Sequence, residues 1–220
     1  MRPISRLRFN ALAGYARNPR TVLMAEELGW FEHADERVLG VLIRDRTDDD
    51  YSGIVLARDE LLQYRWTTST GFEPTQRRAK AFLRPALELA AMAPDDQHYQ
   101  GHRRRPPVDF FTPIVSLERL HESFRKLIEQ DGYGPARGII EPMMRWYQDI
   151  DGNFIEQFQT TGFDARLWEL YLFAMLVEVG FVMDRTQPAP DFIGQSMCGP
   201  LAIEAVTVCP SSNDLRQFVF

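Results

Sequence analysis

The chain has little cysteine, little lysine and no long hydrophobic run. Cys198 and Cys209 are its two cysteines, too few for a disulfide framework or a cysteine-rich zinc site, so two small buried thiols in a reduced compartment are expected. No stretch approaches the roughly 18 consecutive apolar residues of a membrane span. The basic N-terminus MRPISRLRFNALAGYARNPR lacks an apolar core followed by a cleavage site, which points to the cytoplasm and to no membrane partner. Lys80 and Lys126 are the only lysines, so arginine carries almost all positive charge. A net charge of -6 does not advertise nucleic-acid binding, yet clustered cations on an acidic protein still serve that purpose.

The 220 residues suffice for one large domain or two small ones. Residues 18–30, NPRTVLMAEELGW, read as a short helix stopped near Gly29. RVLGVLIRD (37–45), YSGIVLARD (51–59) and LLQYRWTTS (61–69) are β-rich runs joined by acidic turns, the pattern of an antiparallel meander. EPTQRRAKAFLRPALELAAM then switches to helical spacing, and this helix should cover the sheet, kinking or restarting at Pro85. Residues 94–115 read as a linker or long loop. A helix over SLERLHESFRKLIEQ, capped by Ser116, opens the second half. GPARGIIEPMMRWYQDI, NFIEQFQ and FDARLWELYLFAMLVEV follow, the last closed by Gly180, and then the β-like segments FVMD, DFIG and LAIEAVTV. The expected class is α/β (α+β): a three-stranded N-terminal sheet with its helix over 1–93, the 94–115 connection, and central helices leading into a C-terminal half-core over 116–220.

Several candidate sites carry plain readings. His98 and His102 have a spacing that binds metal on a helix, but their segment reads as a solvated loop. The basic cluster HRRRPP reads the same way, with phosphate contact as its alternative. Asp48, Asp49 and Asp50 form an acidic hairpin tip without the further ligands that calcium needs. Trp168, Tyr171 and Phe173 read as core.

Three carboxylates stand out from this background: Glu169 in the helix, Asp191 in PDF, and Glu204 in the apolar run LAIEAVTV. An unpaired charge in such a strand is costly, so Glu204 calls for a cation or an arginine beside it. Neighbouring strands lie about 4.8 Å apart, so side chains on one face can share an ion, and carboxylates are the ligands that suit Mg²⁺. Arg166, three residues before Glu169, shares its helical face. The order helix, glycine stop, β segment, PDF, IEA resembles the PD-(D/E)xK nuclease superfamily, whose fold is that of many restriction endonucleases. The resemblance covers about 163–208. It implies a restriction-endonuclease-like partial core and a metal-dependent nuclease that hydrolyses phosphodiesters. Asp191 and Glu204 would hold Mg²⁺ or Mn²⁺, Glu169 would assist, and nucleic acid would be the partner.

The pattern departs from the family at Val206, where lysine is usual two residues after the acidic strand residue. The reaction is then weakened, rewired or lost. Only CPSSNDLRQFVF follows the last strand, where the family core adds a helix and a further strand. Either an N-terminal element completes the sheet or the chain is a shortened form, and the second is the leading expectation. An uncovered edge rich in Val and Ile would then invite a homo-oligomer or a protein partner. The alternative function is a non-catalytic interaction protein of a bacterial defence or toxin-like system, using the fold without the reaction.

Overall fold

The structure, a computed structural model, describes residues 1–98, 100, 106–150, 152–184, 186 and 189–208. His102, the three arginines that follow it, and Cys209 lie outside these residues. The chain has a mixed α+β architecture, with an N-terminal sheet, central helices and a smaller C-terminal sheet.

The runs VLGVLIRD and YSGIVLAR are apolar at both alternating positions, so a sheet built from them must be covered on both faces. In chain order the first half comprises β1 (Arg2–Ile4), α1 (Arg6–Ala13), α2 (Thr21–Met24), β2 (Ala25–His33), β3 (Val38–Asp45), β4 (Tyr51–Arg58), β5 (Tyr64–Ser69) and α3 (Gln76–Met92). The strands form one five-stranded antiparallel sheet in the order β1-β2-β3-β4-β5. Val38, Leu42, Val55 and Ala57 face α3 and its Ala79, Leu83, Leu87 and Ala90. Leu39, Val41, Leu56 and Tyr64 face the other way, onto Phe9, Leu12 and Ala13 of α1. Each buried Val, Leu or Phe among them contributes roughly 1.5–3 kcal/mol. Gly53 lets α3 lie close: a Cβ there would stand 2.9 Å from Cδ1 of Leu83.

The sheet has two strands more than the three expected. Residues 18–30 form one turn of helix, α2, and then β2 rather than a continuous helix. The reason is pairing: β2 joins both β1 and β3, from Ala25↔Asp45 to His33↔Val38, so tertiary hydrogen bonds override the local helical pattern. Gly29 sits at the bulge in this ladder, not at a helix stop. α3 runs unbroken through Pro85, because that residue lies on the exposed side and the carbonyl deprived of its donor reaches water.

The second half contains α4 (Glu122–Glu129), α5 (Gly134–Trp146), α6 (Phe154–Gln159), α7 (Phe163–Glu178), β6 (Val182–Asp184), β7 (Phe192–Ser196) and β8 (Gly199–Ile203). Its core is aromatic. Phe110, Phe124, Tyr147, Phe154, Phe158, Phe163, Phe173 and Phe192 are buried together, with Tyr147 and Phe154 centroids 4.5 Å apart and Tyr147 edge-on to Phe173 at 5.5 Å. Such pairs add about 0.5–1.5 kcal/mol beyond area burial. Ser116 heads only a 3₁₀ turn, and α4 starts at Glu122 with His121 as its cap. The backbone N–H of His121 donates to Gln159 O at 2.8 Å, which breaks the longer helix expected there.

Within 94–115, Phe110 is completely buried. Gln159, itself inaccessible to solvent, donates to the carbonyls of Phe110 and Thr112 at 3.0 and 2.8 Å and accepts from Ile114 N–H at 2.8 Å. The halves meet directly: Tyr15 stacks on Phe173 at 5.5 Å, and Gln63 donates to the carbonyl of Arg145. Behind Gln63, the buried Asp59 accepts from the N–H groups of Leu61 and Gln63 and from Arg65, whose guanidinium lies 4.9 Å over the Trp146 ring.

Candidate functional site

Gly180, with φ at +88°, ends α7 and turns the chain into β6, after which β6-β7-β8 form an antiparallel three-stranded sheet. Alternation sorts its side chains. Met183, Phe192, Leu201 and Ile203 pack toward the aromatic core, while Val182, Gln195, Pro200 and Ala202 are exposed on the opposite face. Among the described residues, this sheet is covered on a single side, unlike the central strands of the N-terminal one.

Phe192 pairs with Ile203, so the next step outward sets Asp191 opposite Glu204. By alternation both belong to the open face; Asp191 is half-buried and Glu204 exposed. Each carboxylate also accepts one backbone N–H from the other strand's end. Ala205 N–H donates to Asp191 Oδ2 at 2.7 Å, and Asp191 N–H donates to Glu204 Oε2 at 3.3 Å. Two like charges directly across a ladder repel, by a few tenths to 1 kcal/mol. The strand itself ends at Ile203, so Glu204 lies just beyond a short strand rather than inside a long apolar one.

Glu169 goes elsewhere. It is buried in the helical core, where Arg166 donates to its Oε2 at 2.5 Å and the Tyr147 hydroxyl donates to its Oε1. Arg166 also holds Gln157 and lies 5.3 Å over the Phe154 ring. The structure thus brings Asp191 and Glu204 together and leaves Glu169 apart from them. Among the described residues, no group of three or more His, Cys, Asp or Glu side chains forms that could hold a metal ion.

As a donor set, the pair suits one kind of ion. Two carboxylates at an open sheet end fit a hard cation that keeps most of its waters, as Mg²⁺ and Mn²⁺ do, and do not make a closed all-protein cage. Val206, at the lysine position of the motif, is 72% exposed, so a longer side chain has room there.

The remaining candidates fall out as follows. Asp49 lies 3.7 Å from Arg44, and the acidic hairpin tip joins no metal cluster among the described residues. His98 ends a short 3₁₀ turn. Phe173 is core, but Trp168 and Tyr171 are not: 39% and 60% exposed, they stack on each other at 5.4 Å outside it. Cys198, expected to be buried, is exposed in the turn between β7 and β8. The part of Tyr147 was not visible in the sequence, because it lies 22 residues from Glu169 and nothing in its local pattern marks it.

No protein-family model matches the chain, and comparison with curated proteins and with solved structures yields no match. No helix among the described residues is long and apolar enough to cross a membrane.

Proposed function

We propose that the chain is a metal-dependent nuclease-like protein acting on phosphodiesters, with Asp191 and Glu204 holding Mg²⁺ or Mn²⁺ at the open end of β7 and β8. The reading takes α7 with β6–β8 as a partial restriction-endonuclease-like core. One observation carries it: two carboxylates face each other across a strand pair on the uncovered face of a sheet, where a shared cation turns repulsion into attraction. When bound, the cation supplies charge neutralisation at the phosphate and a more acidic water. The protein's contribution is to orient. The backbone N–H of Ala205 fixes the Asp191 carboxylate, that of Asp191 fixes Glu204, and the open face gives a nucleic acid room to approach.

Glu169 has its own partners and enters as support for α7 rather than as a ligand. Val206 stands where the motif has its lysine and carries no charge, so turnover is weak. The test is Mg²⁺-dependent cleavage of plasmid and oligonucleotide. Slow cleavage is expected from the wild-type protein, none from Asp191→Asn or Glu204→Gln, and faster cleavage from Val206→Lys. Cleavage that survives both carboxylate substitutions removes these residues from the site, and no cleavage even by Val206→Lys removes the hydrolase.

A second reading rests on Glu169 and Val206. With the helix carboxylate sealed against Arg166 and Tyr147 and the lysine position apolar, the fold would serve as a non-catalytic interaction protein of a bacterial defence or toxin-like system. Cation binding without cleavage by any variant would favour it.

A further inference from the structure

Both faces of the central N-terminal strands are covered by helices, and the outer surfaces of those helices remain to meet a partner. α3 presents an unusual surface. Its sequence QRRAKAFLRPALELAAM places Arg77, Arg78 and Lys80 in its first two turns and Arg84 at its middle, with no acidic residue in the first turn and one exposed carboxylate, Glu88, a turn beyond Arg84. Cations in the first turn oppose the helix dipole. Arg78 is paired with Glu73 at 2.8 Å and Lys80 lies 5.1 Å over the Phe31 ring. Among the described residues, Arg77 and Arg84 meet no acidic side chain.

Beside these cations runs an apolar stripe. Phe82, Pro85, Leu89 and Met92 follow one another at spacings of three, four and three, which keeps them in line along a helix. Phe82, Leu89 and Met92 are 49%, 72% and 80% exposed. Single exposed apolar residues are ordinary, but a continuous line of them at this spacing is the seam of a helix-on-helix contact.

We propose that the outer face of α3 docks an acidic amphipathic helix of a partner protein. The apolar stripe would take the partner's apolar edge, and Arg77 and Arg84 would meet its carboxylates, with the helix dipole adding to the field at Arg77. Charge selects this occupant over a second copy of the chain. Two α3 helices packed parallel set arginine against arginine, and packed antiparallel with Arg84 opposite Glu88 they leave Arg77 beyond the end of the other helix, with no helix carboxylate to meet. A nucleic acid would use the arginines but leave the stripe uncovered. The surface belongs to the N-terminal half and stands whether or not Asp191 and Glu204 bind a cation.

The probe is a synthetic helical peptide with leucines at four-three spacing and glutamates flanking them, titrated into the full chain and followed by fluorescence anisotropy. Saturable binding is expected, weakened roughly tenfold by Leu89→Ser with Met92→Ser and by Arg77→Glu with Arg84→Glu. Replacing the peptide's glutamates by lysine should abolish it. Arg77→Glu alone relieves the clash with the helix dipole, so its melting temperature should equal or exceed the wild-type value while binding falls, which a merely structural role would not produce. No binding up to about 1 mM, or equal binding of a scrambled peptide, overturns the proposal. So does a dimer dissolved by the Leu89 and Met92 substitutions, which assigns the face to a second copy. DNA binding that needs the arginines but not the stripe assigns it to nucleic acid.

Discussion

The two sheets differ in how they are covered, and the difference separates what each half can offer. The N-terminal sheet lies between α1 and α3, which cover both faces of its central strands, and its charged interior is consumed by structure: Asp59, Gln63 and Arg65 satisfy one another and reach across to Arg145. The C-terminal sheet is covered on one side by aromatic packing and, among the described residues, on that side alone, with Asp191 and Glu204 opposed on the other. A closed sheet acts through its helices; a half-open one presents carboxylates directly.

The contrast between an aliphatic and an aromatic core gives the largest predicted effects. Phe158→Ala should cost about 3–5 kcal/mol and Leu83→Ala about 2–5 kcal/mol, read from urea midpoints. Because Tyr15 stacks on Phe173 and Gln63 holds Arg145, both substitutions should shift one shared transition. Two separable transitions would show the halves to be independent. Next comes Arg166→Ala, which strands the Glu169 carboxylate in the core and should cost about 3 kcal/mol. Replacing the pair together by Met and Leu should recover most of that loss, as expected for a structural ion pair rather than a ligand.

A smaller effect lies in alkaline solution. Burial pushes the Tyr64 hydroxyl up to about 12, against about 10 in an unfolded chain. The folded state excludes the ionised form, so this contribution is intact below about pH 10 and is lost as pH rises through about 12. Tyr64→Phe should flatten that part of the stability profile; an unchanged profile would mean other groups control it. Smallest of all, Val206→Lys should leave stability within about 0.5 kcal/mol, since the site is exposed. A larger loss in a thermal melt would show that Val206 packs against something.

Much of the fold could be read from periodicity. β3, β4, β5, α3 and α7 fall where alternation or helical spacing puts them, because each buries one regular set of side chains. β1 and β2 could not be read this way: a basic three-residue segment and a stretch that also scans as helix become strands only through each other and β3. Trp168 and Tyr171 scan as core because aromatics usually are, yet α7 packs by Leu170, Phe173 and Leu176 and turns those rings outward. At the site, the closeness of Asp191 and Glu204 was legible, since two short β segments joined by a tight turn must pair. The isolation of Glu169 was not, because it depends on Tyr147 from a different element.

Everything claimed for the C-terminal half rests on Asp191 and Glu204 sharing a cation, and calorimetric titration of the full chain with Mn²⁺ addresses this without relying on turnover. The account predicts one ion bound per chain, with binding lost in Asp191→Asn and in Glu204→Gln while both variants keep the wild-type circular dichroism spectrum. No heat of binding at about 1 mM Mn²⁺, or heat undiminished by either substitution, would contradict it.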